Sequence, residues 1–195
     1  MEIKKAEFVT SAVKPMQYPA DNLPCLALAG KSNVGKSSMV NTLTNRTKLA
    51  KTSGQPGKTR LINFYRINDT FYIVDLPGYG FARVSHQEKK NWGYMIENFL
   101  KSYSNIHGII HLVDIRHHPT ADDKTMTHWF REFNMPYFVL ATKADKLGKT
   151  RIMPRIKEIR DELGLPLDVQ VIPFSSQTGY GKGALIQALD TLINP

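Results

Sequence analysis

A glycine-rich run near the start of the chain has the spacing of a phosphate-binding loop, G-x-x-x-x-G-K-S. It consists of Gly30, Lys31, Ser32, Asn33, Val34, Gly35, Lys36 and Ser37. Glycines let the backbone N–H groups of such a loop point at phosphate oxygens, and the helix that follows adds the positive end of its dipole. Lys36 would contact the β- and γ-phosphates, and the Ser37 hydroxyl would bind Mg²⁺. The motif predicts nucleotide binding without naming the base.

A second motif, later in the chain, predicts that the base is guanine. It consists of Thr142, Lys143, Ala144 and Asp145, directly after an apolar run. The Asp145 carboxylate can accept hydrogen bonds from guanine N1–H and the 2-amino group, whereas adenine offers neither donor; such sites discriminate by about 10⁴-fold. We expect Lys143 to lie along the base and to steady the phosphate loop. Backbone N–H groups at the end of the last apolar run are expected to contact the guanine oxygen: Phe174, Ser175 and Ser176.

Two further segments predict a response to the γ-phosphate. The sensor consists of Asp75, Leu76, Pro77 and Gly78. Asp75 would hold Mg²⁺ through a water molecule, and Gly78 would offer its N–H to the γ-phosphate. The upstream segment contains Gly57, Lys58, Thr59, Arg60 and Leu61. Thr59 is preferred over Thr52 as a Mg²⁺ ligand because it directly precedes a strand pattern. Loss of the γ-phosphate would release both segments, which is the order–disorder transition of a switch.

The order and spacing of these motifs identify a TRAFAC-class GTPase, and the finer details resemble one family, the EngB (YihA/YsxC) bacterial GTPases. The resemblance covers essentially the whole chain, and its most specific part is the run from Pro77 to Ala82. Beyond the motifs above it rests on Ser11-Ala12-Val13-Lys14-Pro15, Pro56-Gly57-Lys58-Thr59, Asn63-Phe64-Tyr65, Asp114-Ile115-Arg116-His117 and Trp92-Gly93. It implies a cytoplasmic GTPase that acts in assembly of the large ribosomal subunit, with a subunit precursor or ribosomal RNA as its partner. It also implies a need for the protein in normal cell division and septation.

The sensor lacks the glutamine that orients the attacking water in Ras-like GTPases; Tyr79 stands at that position. We therefore expect slow intrinsic hydrolysis, on the order of 10⁻⁴ to 10⁻³ per second. The candidate catalytic residues are Lys36 and Asn33. Asn33 could hold a potassium ion in place of an arginine finger, and bracing of the loop is its alternative role. Arg60 and Arg83 are the candidates for an internal arginine finger.

These motifs must be positioned by a layered fold. Apolar strand patterns cover 25–29, 61–67, 71–75, 109–114, 137–141 and 169–174, and helical patterns cover 36–45, 85–103, 120–133, 152–163 and 183–193. Thr120 with Asp123, and Ser85 with Glu88, have capping-box spacing. Asn68-Asp69 is typical of a hairpin turn, so that one strand should be antiparallel to the rest.

The alternation of strands and helices predicts an α/β fold of the P-loop NTPase kind. We expect a Ras-like GTPase domain with a six-stranded, mostly parallel sheet flanked by helices on both faces. Residues 1–23, interrupted by prolines, are expected to form a lead-in to a GTP-binding domain at 24–195. Ligands of such sheets bind at the carboxyl ends of the strands, where the motifs fall.

Composition indicates an anionic partner and a reducing compartment. The net charge is +9 and the pI about 9.6, which fits a nucleotide, a nucleic acid or an acidic membrane surface as partner. The single cysteine, Cys25, excludes an intramolecular disulfide and lies in an apolar run typical of a buried strand. We find no signal-peptide core and no run long enough to span a membrane. A cytoplasmic monomer is the expectation.

Other functions fit some of these features. One is a constitutive RNA-binding module that needs nucleotide only to remain folded; another is a GTPase that recruits partners at the division site without contacting the ribosome. A basic stretch could be a solvated helix face or a contact for RNA phosphates: Lys146, Lys149, Arg151, Arg155, Lys157 and Arg160. Basic residues in and just before the upstream segment 57–61, which we call the first switch, could couple nucleotide state to RNA: Lys48, Lys51, Lys58 and Arg60. The histidines, His111 among them, lack the ligand spacing of a transition-metal site.

Overall fold

The computed structural model describes residues 1–51, 61–80 and 86–194. Its strands are β1 (Ala6–Ala12), β2 (Cys25–Gly30), β3 (Ile62–Ile67), β4 (Phe71–Asp75), β5 (Ile106–Asp114), β6 (Tyr137–Thr142) and β7 (Val171–Pro173). Its helices are α1 (Lys36–Leu43), α2 (His86–Ser102), α3 (Ala121–Glu132), α4 (Lys149–Glu162) and α5 (Lys182–Ile193). Each strand and helix expected from the periodicity is present, with somewhat different ends.

The strands form one mostly parallel sheet in the order β1-β3-β4-β2-β5-β6-β7. Of these, β3 is antiparallel to both of its neighbours. The predicted hairpin turn joins it to β4: Asn68 and Asp69 have φ values of 51° and 57°, and Thr70 N–H donates to Ile67 O at 2.9 Å. This left-handed pair matches the twist of the strands it connects, so the expected antiparallel strand is confirmed.

The sheet has seven strands rather than the six expected, and the additional strand lies within residues 1–23. β1 pairs with β3, with Ala6 opposite Ile67 and Ala12 opposite Ile62. Pro15 follows the end of this strand and therefore does not interrupt it. Two small alanines are its fully buried residues, so the hydrophobic signal of an edge strand is weak here. The domain boundary at residue 24 stays a prediction.

The sheet is covered on both faces, as β2 illustrates. Leu26 and Leu28 point into a core shared with α1 and α5, whereas Cys25, Ala27 and Ala29 point into a core shared with α2 and α3. The Cys25 thiol is completely buried, as expected, and burial raises its pKa. α4 packs on a third cluster next to β6 and β7.

The layout brings the motifs to one edge of the sheet. β2 ends at Gly30, β4 at Asp75, β5 at Asp114, β6 at Thr142 and β7 at Pro173. Because these five strands are parallel, their carboxyl ends lie side by side, where nucleotides bind on sheets of this type.

Candidate functional site

The phosphate loop joins β2 to α1 through a turn with left-handed backbone at two residues. Asn33 has a φ of 60°, and Gly35, the N-cap of α1, has a φ of 113°. Glycine and asparagine adopt this region most readily. At Gly30 space is the constraint, since a Cβ atom there would lie 2.8 Å from Leu112 O. The loop therefore turns tightly into α1, whose first N–H groups have no partner within the helix and are the groups a phosphate would bind.

Two side chains at the end of β6 hold this loop by its carbonyl groups. Thr142 Oγ1 donates to Val34 O at 2.7 Å, and Lys143 Nζ donates to Asn33 O at 3.0 Å. Lys143 Nζ also forms an ion pair with Asp114 Oδ2 at 2.8 Å. The structure therefore shows the contact with the phosphate loop that was expected of Lys143. Its contact with a base stays a prediction.

Asp114 is the last residue of β5 and the first of the run Asp114–His117, on which the family resemblance partly rests. Its carboxylate holds Lys143 in place. Arg116 donates to its two oxygens, through Nε at 2.9 Å and Nη2 at 2.7 Å. Burial raises the pKa of Asp114, but the hydrogen bonds from Arg116 and Lys143 outweigh burial and bring that pKa well below its usual range. The carboxylate is thus ionised, and it holds the Lys143 side chain where it contacts the phosphate loop. The resemblance included these residues without assigning them this role.

The Asp145 carboxylate is oriented by the turn that follows β7. Ser175 Oγ donates to Asp145 Oδ1 at 2.7 Å, and this hydrogen bond, helped by Lys146, lowers the pKa of Asp145. Ser175 is fully buried, and its hydroxyl accepts the N–H groups of Gln177 and Thr178 at 3.2 Å each. An ionised carboxylate only accepts hydrogen bonds, which is what two guanine donors require.

Two of the backbone N–H groups expected to contact guanine after β7 already form hydrogen bonds within the protein. Phe174 N–H donates to Ala141 O at 2.8 Å, and Ser175 N–H donates to Tyr180 O at 3.0 Å. Ser176 is the one of the three expected contacts whose N–H has no acceptor within the described parts of the chain. The Ser175 side chain, rather than its N–H, is the group that contacts Asp145, and contacts of this backbone with guanine stay a prediction.

Asp75 ends β4 in a buried position beside the phosphate loop. Its Oδ1 lies 3.8 Å from Lys36 Nζ, and its Oδ2 lies 3.4 Å from Ser37 Oγ. Oδ1 has no hydrogen-bond partner among the described residues. Burial raises the pKa of Asp75, and the charge of Lys36 and the hydrogen bond from Ser37 oppose that rise. A buried carboxylate oxygen that faces a cation but accepts no hydrogen bond within the described ranges has room for a further polar partner.

These groups fit a hydrated magnesium ion. Mg²⁺ prefers oxygen ligands and keeps several of its water molecules. Such a water would supply the hydrogen bond that Asp75 Oδ1 lacks, and the charge of the ion would favour the ionised carboxylate. Ser37 supplies a hydroxyl close by. Thr59, the second hydroxyl ligand expected, lies outside the described residues.

The sensor packs directly against the phosphate loop. A Cβ atom on Gly78 would lie 2.8 Å from Ser32 N and 3.2 Å from Lys36 Nζ. The next residue pairs with the loop: Ser32 N–H donates to Tyr79 O at 2.8 Å, and Tyr79 N–H donates to Gly30 O at 3.3 Å. A side chain at position 78 would push the two segments apart. Leu76 is buried, and Pro77 is half-buried.

The hydroxyl of Tyr79 lies in a buried polar cluster. Tyr79 Oη donates to Asp123 Oδ1 at 2.5 Å and lies 2.8 Å from His111 Nε2. A hydroxyl engaged in this way does not orient water as the glutamine of Ras-like proteins does. The predicted capping box of α3 is confirmed, since Thr120 and Asp123 bond reciprocally. Sequence reasoning missed the link to Tyr79, because no local pattern reports that three such distant residues meet.

A second unforeseen link joins α1 to the turn after β7. Thr42 Oγ1 donates to Ser176 O at 3.1 Å, and Lys182 Nζ donates to Thr42 O at 2.7 Å. The helix that starts at the phosphate loop and the turn that positions Asp145 are therefore tied together. No motif in the sequence marks these residues.

Several sequence expectations fall on residues that the structure does not describe. They are Thr52, Pro56, Gly57, Lys58, Thr59, Arg60, Arg83 and the cap at Ser85. Leu61 is described and lies partly buried just before β3. Among the described helices, none is both long and apolar enough to cross a membrane.

Half of the basic stretch around α4 is bound within the protein. Internal partners are Asp145 for Lys146, Ile115 O for Arg155, and the carbonyls of Pro166 and Val169 for Arg160. Lys149, Arg151 and Lys157 are exposed. The stretch is therefore partly structural and partly a solvated basic face.

The chain is similar to several known proteins over most of its length. A protein-family model described as "50S ribosome-binding GTPase" matches residues 25–143. A probable GTP-binding protein EngB from Heliobacterium modesticaldum is 53% identical over 194 residues, which span 100% of this chain and 95% of that protein. The protein of the same description from Clostridium kluyveri is 48% identical over 194 residues, spanning 100% and 98%. A crystal structure of a probable GTP-binding protein engB shares the fold, with a TM-score of 0.72 at 24% identity over 87% of this chain and 98% of that one.

Proposed function

Because the chain belongs to the EngB family of GTP-binding proteins, a family of P-loop GTPases, we propose that it is a slow, magnesium-dependent GTPase switch that acts in assembly of the large ribosomal subunit. It works as a cytoplasmic monomer, and its loss disturbs cell division and septation. The switch is supported by the packing of Gly78, whose added Cβ atom would lie 2.8 Å from Ser32 N and 3.2 Å from Lys36 Nζ in the phosphate loop.

Hydrolysis in this proposal is slow because the residue at the glutamine position is engaged elsewhere. The Tyr79 hydroxyl is bound to Asp123, so that Lys36 and the loop N–H groups stabilise charge without a residue to orient the water. A potassium ion held by Asn33 would supply further positive charge. Equal hydrolysis rates in sodium and potassium salts would contradict that role of Asn33.

The magnesium site gives a first quantitative prediction. Asp75→Asn should raise the Mg²⁺ concentration that half-saturates GTP binding by about 10- to 100-fold, as expected for a residue that holds a metal through a water. The amide keeps the shape of the side chain but loses the charge that attracts the ion. Fluorescence titration of labelled GTP at a series of Mg²⁺ concentrations measures this shift.

GDP binding and unfolding of the same variant serve as controls. Because Asp75 lies 3.8 Å from Lys36 Nζ in a buried site, removal of its charge leaves the Lys36 ammonium group without its carboxylate partner, so the free energy of unfolding of the variant is measured separately from its Mg²⁺ requirement. A variant that unfolds normally and shows an unchanged Mg²⁺ requirement would contradict the assignment of Asp75 to the metal.

The net charge of the chain and the description of the matching protein family support a ribosomal partner. The matching family model carries ribosome binding in its description, and the net charge of this chain is +9. Exposed lysines flank the first switch, at Lys48 and Lys51, and exposed cations lie on α4. Positive groups near a segment that responds to nucleotide would make the affinity for an RNA phosphate backbone depend on the bound nucleotide.

Co-sedimentation with large-subunit precursor particles tests this proposal. We expect binding about tenfold tighter with a non-hydrolysable GTP analogue than with GDP, a coupling of the usual size between two sites. The matching ATP analogue is the control and should give no increase over nucleotide-free protein.

Three other outcomes would contradict parts of the proposal. Equal binding with both guanine nucleotides, together with a steep dependence on salt, would favour a constitutive RNA-binding module. Absence of binding to any ribosomal particle would favour a GTPase that recruits partners at the division site. Tighter binding with GDP would reverse the direction of the switch.

A further inference from the structure

A buried polar cluster connects the sensor to β5 and α3. Its members are Tyr79, His111, Asp123, Thr120 and Thr127, of which Tyr79, His111, Asp123 and Thr127 are at least 95% buried. Tyr79 lies directly after the sensor glycine, His111 is in the middle of β5, and Asp123 is in the first turn of α3. Buried polar side chains are costly unless paired, so a cluster of this kind has a structural or functional reason.

The hydrogen bonds of the cluster assign its protons. Asp123 is acceptor-only when ionised, so the single Tyr79 hydroxyl proton goes to Asp123 Oδ1, at 2.5 Å. The tyrosine oxygen, 2.8 Å from His111 Nε2, must then accept, which places a proton on Nε2. Asp123 Oδ2 accepts both the N–H and the hydroxyl of Thr120, at 2.7 Å each. The tyrosine hydroxyl is thus used as donor and as acceptor.

Hydrogen bonds keep the Asp123 carboxylate ionised and fixed in position. Burial raises its pKa, but the nearby His111 ring, 3.9 Å away, and the hydrogen bonds from Tyr79 and Thr120 outweigh burial and lower the pKa to about 2. The positive end of the α3 dipole also favours a negative charge in the first turn. The Tyr79 hydroxyl is therefore tied to a charged group that is itself fixed to a helix.

Tyr79 is also bound to the phosphate loop through its backbone. Tyr79 exchanges hydrogen bonds with Ser32 N–H and Gly30 O, at 2.8 and 3.3 Å. Gly78 lies between this backbone pairing and the rest of the sensor, so that its orientation depends on where Tyr79 is held. Gly78 is also the residue whose N–H would contact the γ-phosphate, a group that GDP lacks.

We propose that Tyr79 is a positioning residue for GTP: its hydroxyl, anchored on His111 and Asp123, holds Gly78 in place to bind the γ-phosphate. The inference rests on the proposed role of Asp75–Gly78 as the sensor. Without the anchor, part of the GTP binding energy is spent on ordering the sensor, while GDP, which makes no contact with Gly78, is unaffected. Tyr79 thereby contributes to the discrimination between GTP and GDP without touching either nucleotide.

The test is the ratio of two affinities. In Tyr79→Phe, which keeps the buried ring and removes the hydroxyl, the affinity for a non-hydrolysable GTP analogue should fall about tenfold and that for GDP should stay unchanged. His111→Gln, which keeps a donor near the Nε2 position, should retain most of the wild-type ratio, whereas His111→Leu should lose it. Titration of labelled nucleotides at saturating Mg²⁺ gives the ratios.

Tyr72→Phe is a matched control. Tyr72 is also a buried tyrosine that donates to a carboxylate, Asp21 Oδ2 at 2.7 Å, but it lies away from the phosphate loop. Its loss should lower stability without changing the ratio of GTP to GDP affinity. An equal loss of both affinities in Tyr79→Phe would reveal a merely structural role and overturn the proposal.

Gly78→Ala separates this inference from the sensor assignment. The added methyl group would press on Ser32, so this variant should lower the ratio of affinities if the sensor is correctly placed. If Gly78→Ala lowers the ratio and Tyr79→Phe does not, the anchoring role is wrong and the sensor stands. If neither variant changes the ratio, both are wrong.

Discussion

Asp145→Asn should lower the affinity for GTP by about 10²- to 10⁴-fold, because two hydrogen bonds to a charged acceptor, worth about 1.5–3 kcal/mol each, are lost or reversed. The amide nitrogen would place a donor opposite a guanine donor. The fold should survive the change, since Ser175 Oγ donates to Asp145 Oδ1 and the amide oxygen can still accept this bond. Equilibrium titration with labelled GTP, GDP and ATP measures the loss.

A xanthine nucleotide provides the matched control. Xanthine has a carbonyl group at C2, where guanine has its amino group, and keeps N1–H. The asparagine could then donate to that carbonyl and accept from N1–H, so the variant should bind the xanthine nucleotide better than GTP. Wild-type protein should show the opposite order. If ATP competes with GTP equally well in the wild type, the guanine assignment of Thr142, Lys143 and Asp145 is wrong.

The parts of the site that sequence could predict are those in which chemistry constrains neighbouring residues. A phosphate needs several consecutive N–H groups, so glycines, Lys36 and Ser37 must follow one another within a single loop. Asp75 and Asp145 each follow an apolar strand, and parallel strands bring such ends together. Local spacing together with one topological rule was therefore enough to place these groups at one edge of the sheet.

The parts that sequence could not predict depend on contacts between distant segments. Nothing in the sequence distinguishes His111 from other histidines on buried strands, and capping of α3 is by itself a sufficient explanation for Asp123. Their meeting with Tyr79 is decided by the packing of α3 on β5. Likewise, Ser175 was expected to act through its backbone, whereas its side chain orients Asp145. In both cases the residue type was visible and its partner was not.

The missing strand has a different cause. β1 lies at the edge of the sheet, and its buried side chains are the small ones of Ala6 and Ala12. Hydrophobic periodicity is a weak signal where burial is slight, and pairing with β3 supplies the stability instead. The count of six strands was therefore wrong by one edge strand, while the parallel centre of the sheet agreed with the expectation.

Gly181→Ala should be the most destabilising small substitution near the base site. Gly181 has a φ of 80°, and a Cβ atom there would lie 2.0 Å from Pro173 O, a backbone atom that cannot move without distorting β7. The left-handed conformation costs about 1–2 kcal/mol for an alanine, and forced repacking adds about 1–3 kcal/mol. We expect the free energy of unfolding to fall by about 2–5 kcal/mol, measured by urea denaturation.

Gly164→Ala distinguishes the two contributions. Gly164 also has a positive φ, 58°, but no atom lies within 4 Å of its added Cβ. This variant should lose only the conformational part, about 1–2 kcal/mol. Because Gly181 is the N-cap of α5 and directly follows the turn that orients Asp145, Gly181→Ala should also weaken GTP binding, and Gly164→Ala should not. Equal destabilisation by the two substitutions would mean that the contact with Pro173 is not what requires glycine at position 181.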